Sequence, residues 1–171
     1  MDEIIDFTLS YNRYKKKIFN FTLRMTGDRM MAEDIVQTVF LRFWKHMHEI
    51  RNSSAVIFWL YKAARNEIYS QFRSRKRYNE RTENTDITDL QIPGGTDGET
   101  GFILNETREM VLNAIATLPE EQKEVVLLKE YSGLSYDEIA SICGIEAALV
   151  KSRLYSARQK LIKILSKKIN E

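Results

Sequence analysis

The chain of 171 residues has one cysteine, two prolines and seven glycines. A lone thiol, Cys143, cannot pair within the chain, which excludes the disulfide framework of a small secreted domain and favours a reducing compartment. Helix breakers are scarce while Leu, Ile, Lys, Arg and Glu abound, so the expected state is helix. Apolar runs are only a few residues long, which excludes a membrane span. The start, Met1-Asp2-Glu3-Ile4-Ile5-Asp6, lacks the basic and apolar regions of a signal peptide, so the expected location is cytoplasmic. His46 and His48 stand two apart on one helix and point about 200° apart, which is wrong for sharing a metal. Pro93-Gly94-Gly95 has no following lysine and no preceding strand, so it is no phosphate loop. No serine or cysteine has an evident histidine partner. An enzyme, a cofactor and a metal are therefore not expected, and Cys143 reads as a small buried side chain.

What is present is charge, unevenly placed. Residues 1–81 hold 16 Lys and Arg against 9 Asp and Glu, a net +7. Residues 82–101 hold no basic residue and 5 acidic ones, a net −5. Residues 102–150 are again acidic at net −6, and residues 151–171 are basic at net +6. Two basic blocks separated by acidic stretches suggest two contacts with a polyanion.

Periodicity supplies the organisation. Tyr14, Ile18, Phe21 and Met25 recur as one helical stripe. Gly27-Asp28 breaks it, and Asp28 can cap a second helix running to about His48, with Val36, Phe40, Phe43 and Met47 inward. Asn52-Ser53-Ser54 reads as a loop with a capping residue. A third helix follows with Ile57, Tyr61, Ala64, Ile68 and Phe72 inward, and ends in Arg73-Ser74-Arg75-Lys76-Arg77. Residues 82–101, with Pro93-Gly94-Gly95 among acids and hydroxyls, read as a flexible linker. The second half reads as four helices. One covers 102–117. The next starts with Pro119 in its first turn and ends at Gly133. A short one and a long final one follow. The expected fold is all-α: an N-terminal domain over 1–81, an acidic linker over 82–101, and a C-terminal domain over 102–171.

The short helix and the final one form a helix-turn-helix. Ser135-Tyr136-Asp137-Glu138 has the form of a capping box. Ala140 is small enough to let two helices approach. Gly144 can take the left-handed conformation that ends the first helix. Ile139 and Val150 fill the angle between the two. With Val150 inward at 100° per residue, Ala148, Ser152, Tyr155 and Gln159 point away, with Ser156 close by; Lys151 and Arg158 flank one side and Arg153 the other. The N-terminal part of such a helix reads base edges, and an alanine methyl can touch thymine. Lys151, Arg153, Arg158, Lys160 and Lys163 suit phosphates.

Leu118-Pro119-Glu120-Glu121-Gln122, Gly133 to Ala140, and Val150-Lys151-Ser152-Arg153-Leu154 with Ala157-Arg158 resemble the C-terminal domain of extracytoplasmic-function (ECF) RNA polymerase sigma factors. In the first half, Ala32-Glu33-Asp34-Ile35-Val36-Gln37 and Val39 to Trp44 resemble that family's polymerase-binding helix. Phe58-Trp59-Leu60-Tyr61, Ala64-Arg65-Asn66 and Arg73 to Arg77 resemble its promoter-opening helix. The resemblance spans nearly the whole chain outside the linker. It implies a factor that binds core RNA polymerase and promoter DNA, is held in check by an anti-sigma protein, and is a monomer when free. By resemblance, Asp34, Gln37, Phe40 and Trp44 would dock on the polymerase clamp. Asn52, Ser53, Arg65, Asn66, Arg73, Arg75, Lys76 and Arg77 would take the minus-ten element. Ala148, Lys151, Ser152, Arg153, Tyr155, Ser156 and Arg158 would take the minus-thirty-five element. The linker would thread toward the polymerase active site. Three positions depart from the family pattern: Ser70 for aspartate, Leu149 for threonine and Ser156 for arginine. The last two border the reading face and bear on promoter preference.

Aromatic residues beside the basic run, Tyr69 and Tyr78, fit a single-strand groove. A conventional helix-turn-helix regulator is the alternative, since the C-terminal half alone would allow it. Such regulators usually bind palindromes as dimers. The sequence offers no dimer helix, and that reading leaves the first basic block without a role.

Overall fold

Helix α1, Asp2–Thr26, buries the stripe of Tyr14, Ile18, Phe21 and Met25. The computed structural model describes residues 2–82 and 102–171, so the expected linker lies almost wholly outside the described residues. All regular structure among the described residues is helical. The chain divides into two units, Met1–Leu90 and Gln91–Glu171.

In the first unit, α1 stops at Gly27, whose φ of 64° is open to glycine without strain. Asp28 then caps α2, Arg29–His46, accepting a hydrogen bond from the Met31 amide at 3.1 Å. A 3-10 turn, Met47–Glu49, extends α2 to the length expected, with Met47 only half-buried. A second 3-10 turn, Ser53–Ala55, leads into α3, Val56–Arg81. The three long helices pack on one another. Val36, Phe40, Phe43, Tyr61, Ala64 and Ile68 are buried as the periodicity demands, whereas Ile57 and Phe72 are half-buried. Aromatic rings dominate one end of this core. Phe7 meets Trp44 edge-on at 5.2 Å, Tyr11 meets Phe40 at 4.9 Å, and Phe43 lies 5.8 Å from Trp59.

The second unit is arranged around its last helix. α4 spans Phe102–Ala116, α5 Glu120–Val126, α6 Tyr136–Cys143 and α7 Ala147–Ile169. Each of α4, α5 and α6 packs against α7. Pro119 stands at the cap of α5 and not in its first turn, because its extended ψ of 145° precedes the first helical residue. The expected single helix up to Gly133 is instead α5 continued by a π turn, Leu127–Tyr131. Its closing bonds run from the Ser132 amide to the Leu127 carbonyl and from the Leu134 amide to the Leu128 carbonyl, both 3.1 Å. The wider turn swings Lys129, Glu130 and Tyr131 out of the register that a plain α-helix would give them. Both halves of the capping box form: the Glu138 amide donates to Ser135 Oγ at 3.2 Å, and the Ser135 amide to Glu138 Oε2 at 3.1 Å. Gly144, at φ 66° and ψ 38°, ends α6 and turns the chain into α7. Ile139, Ile142, Val150, Leu154 and Ala157 are buried. Among the described residues no helix is long and apolar enough to cross a membrane.

A methyl group at Gly144 would meet no neighbour within 4 Å, so its whole cost is conformational. Gly144→Ala should cost about 1–2 kcal/mol through the left-handed backbone, and Ser135→Ala about 1 kcal/mol through loss of the cap. Thermal or urea unfolding of the two variants checks both values.

Candidate functional site

Three surfaces bring together the residues singled out in the sequence. The first lies on the outer face of α2. Met30, Asp34, Gln37, Leu41 and Trp44 follow one another at i, i+4, i+7, i+11 and i+14, a single stripe, and all five are exposed. Leu41 is 59% exposed and Trp44 42%. Phe40, expected on this surface, is only 2% exposed. It stands about 80° around α2 from the middle of that stripe and is turned into the core, in ring contact with Phe7, Tyr11 and Phe43. Met30 and Leu41 are the aliphatic side chains that this stripe presents to solvent. Trp44 keeps one edge against Phe7 and presents the rest outward.

The second surface follows α2. Asn52 Oδ1 caps the 3-10 turn by accepting from the Ser54 amide at 3.1 Å, and Asn52 and Ser53 are both exposed. The Arg65 guanidinium stacks 4.6 Å from the Tyr69 ring centre. Asn66, Arg73 and Arg77 recur at i, i+7 and i+11 and are exposed, with Lys76 beside them. Arg75 is the exception in this basic run. It stands about 160° from Arg73 around α3, and its guanidinium binds Asp28 Oδ2 at 2.6 Å. Arg75 therefore clips the end of α3 to the start of α2 and does not share the face of Arg73, Lys76 and Arg77. Asp28 is held below the ordinary carboxylate range, first by the hydrogen bond from the Met31 amide and then by Arg75, against the opposing effect of partial burial.

The third surface is the outer face of α7. Ala148, Lys151, Ser152, Tyr155, Arg158 and Gln159 are exposed, Tyr155 by 66%, and Ser156 is half-buried beside them. Arg153 differs from expectation. It lies only about 60° from inward-pointing Val150 around the helix. Its side chain is 16% exposed and binds Glu121 of α5 at 3.1 Å, so it fastens α7 to α5 and is turned away from the outer face. Arg158 binds Glu130 of the π turn at 2.9 Å, which with the Tyr136 hydroxyl raises its already high pKa.

Two known families match the chain, one in each unit. Residues 10–78 match the family described as Sigma-70 region 2, and residues 108–161 match Sigma-70, region 4. The ECF RNA polymerase sigma factor EcfG of Rhodopseudomonas palustris is 30% identical over 145 residues, covering 85% of this chain and 77% of that protein. The ECF RNA polymerase sigma factor SigM of Bacillus subtilis is 29% identical, covering 94% of this chain and 96% of that protein. Among solved structures, the sigma factor RpoE of Bartonella quintana, in complex with the anti-sigma factor NepR, matches with a TM-score of 0.81 at 27% identity, over 94% of this chain and 97% of that one.

The chain belongs to the ECF family of RNA polymerase sigma factors. It is accordingly a transcription initiation factor and not an enzyme.

In this sigma factor the sequence reading missed Leu41 and Met30, whose signal was available. They extend the Asp34–Gln37 stripe at helical spacing, and a buried stripe at Val36, Phe40 and Phe43 leaves them outside. It also missed Glu130, which pairs with Arg158 across 28 residues, and Tyr136, over whose ring Lys129 and Lys151 lie; these contacts join separate elements, and no spacing rule within one helix gives them.

The Asp28 clip makes a pH prediction. Its lowered pKa adds stability that is fully present above the unfolded carboxylate value near pH 4 and is lost as pH falls through the lower folded value. On acidification from pH 6 to pH 3 the unmodified protein should lose more melting temperature than Asp28→Asn, which keeps a cap but cannot titrate. Parallel pH profiles would show that the clip contributes nothing.

Proposed function

We propose that the two units divide promoter recognition between them, as an N-terminal domain over 1–81 and a C-terminal domain over 102–171 joined by the acidic linker. The α2 stripe of Asp34, Gln37, Leu41 and Trp44 docks on core RNA polymerase. Two exposed apolar side chains flanked by polar ones have the makeup of a compact protein contact. Asn52 and Ser53, with Arg65, Asn66, Arg73, Lys76 and Arg77, hold the melted minus-ten strand. Cationic groups follow its backbone, and the polar loop offers hydrogen bonds to an unstacked base. The outer face of α7 reads the minus-thirty-five element in duplex form. Ala148, Ser152 and Tyr155 face the bases, and Lys151 and Arg158 the phosphates.

The observation that carries this reading is that the apolar face of α2 and the polar and basic face of α7 are both exposed, on units that match Sigma-70 regions 2 and 4 respectively. A DNA-binding regulator that ignores the polymerase has no use for exposed Leu41 and Trp44. The factor works where RNA polymerase is, in the cytoplasm, as a monomer when free. The RpoE relative was solved with an anti-sigma factor, and an antagonist of that kind is the expected regulator of this chain.

Leu41→Glu and Trp44→Ala should each weaken binding to core polymerase at least tenfold in a fluorescence titration, with an unchanged helical circular-dichroism spectrum. Normal affinity in both would remove α2 from the contact. On the DNA side, Ser152→Ala and Tyr155→Ala should change base preference in the upstream element by about 1–3 kcal/mol per affected base pair. Lys163→Ala should weaken binding evenly across sequences. Selection from a randomised upstream element measures each, and an unaltered preference in the first two would show that the register of α7 is wrong.

A further inference from the structure

The core of the second unit stops short of the end of α7. Ala157 is the last buried residue of this helix, and the stretch from Arg158 to Ile169 continues for about 18 Å with no buried residue. Tyr155, Ile162 and Ile169 recur every seven residues along one line of the helix and are all exposed, Ile162 by 59% and Ile169 by 74%. Half-buried Leu165 lies beside that line. At 100° per residue, Leu161, Ile162, Ile164, Leu165 and Ile169 share an arc of about 160°. Lys160, Lys163 and Lys167 share an arc of about 60° on the other side. These three lysines and Lys168 are exposed, and no acidic residue stands between Glu146 and Glu171. The end of α7 is thus a basic amphipathic helix whose apolar side the unit covers only in part.

We infer that the end of α7 seats on an anionic lipid surface, with Ile162, Leu165 and Ile169 entering the interface and the four lysines drawn to the headgroups. Charge and position select this occupant. A second copy of the helix would bring like charges together. A DNA backbone is bound through its phosphates and has no use for the isoleucines. A partner helix needs matching charges at the positions that flank the apolar line. Those positions hold Gln159, Leu161, Ser166 and Lys168, so only one is charged. An anionic membrane surface responds to the number of cations near it and not to their register, and it takes aliphatic side chains below its headgroups. Lysine stems can lie along the apolar boundary while their ammonium groups stay in water. A helix seated this way lies in the plane of the interface and does not cross it. Tyr155 stands on the same line as Ile162 and Ile169, so lipid and the minus-thirty-five element exclude each other on α7. That consequence rests on the reading of α7 as the DNA-facing helix, and it makes the membrane a store that withholds free factor from promoters.

The test is co-sedimentation of the full chain with two kinds of vesicle, one of phosphatidylcholine alone and one with about one-third phosphatidylglycerol. The chain should bind the anionic vesicles and not the neutral ones, and added salt should weaken the binding. Ile162→Ser combined with Ile169→Ser should lower binding at least tenfold. Lys167→Gln should lower it about fivefold, and Lys167→Arg should restore it. Unchanged circular dichroism in each variant shows that α7 is intact. Core polymerase with a selected promoter duplex should release the unmodified chain from the vesicles. No binding to the anionic vesicles, or equal binding to both kinds, overturns the lipid seat. Anionic binding that survives the paired isoleucine change is adsorption by charge alone and overturns it as well. A dimer in solution that the same paired change abolishes assigns the apolar line to a second copy and overturns it too. None of these arms involves DNA, so their failure leaves the reading of α7 standing. Full vesicle binding in the presence of core polymerase and the duplex overturns the exclusion between lipid and promoter.

Discussion

The surface of the C-terminal unit depends on how α7 is held. Its buried stripe of Val150, Leu154 and Ala157 faces helices α4, α5 and α6, and the 3.6-residue period then leaves Ala148, Ser152 and Tyr155 pointing outward. The turn at Gly144 sets where α7 begins relative to α6, and the capping box sets where α6 begins relative to the π turn. Arg153 with Glu121 and Arg158 with Glu130 tie the same helix to α5 and its π continuation. Such exposed or half-exposed pairs contribute little stability each. Their more useful effect is to fix the rotation of α7 and the direction of its long cationic side chains, which is what recognition of a groove requires.

The N-terminal unit solves a similar problem with rings. α2 must bury one face and offer the other, and it separates them cleanly. Phe40 and Phe43 enter an aromatic cluster with Phe7, Tyr11 and Trp59, while Leu41 and Trp44 remain outside. Trp44 stands at the border, steadied edge-on by Phe7. A partly supported aromatic side chain loses little freedom on binding, which favours its use as an anchor. Asp28 joins α2 to α3. As a cap it starts α2, and through Arg75 it holds the basic end of α3.

Most of this was legible in the residues. The helical stripes, the Asp28 and Ser135 caps, the Gly144 turn and the outward set on α7 all follow from local rules, because each depends on neighbours within about two turns. The misses differ in cause. The inward stripe already put Phe40 in the core, and only the resemblance placed it on the outer surface of α2, where helical spacing puts Met30 and Leu41. Arg75 reads as one member of a basic run until the helix period sets it opposite Arg73, where Asp28 waits 47 residues away. The π turn was invisible, since the apolar run through Leu128 supports an ordinary helix equally well, and so was the pairing of Glu130 with Arg158.

Run-off transcription with core bacterial RNA polymerase, with and without this protein, on a library of promoter fragments tests the central claim most directly. Discrete transcripts that depend on the protein, and that start a fixed distance downstream of a shared pair of sequence elements, are the predicted result. Sequence-specific DNA binding by the protein alone, without any protein-dependent transcript, would contradict the account and point to a regulator that acts independently of the polymerase.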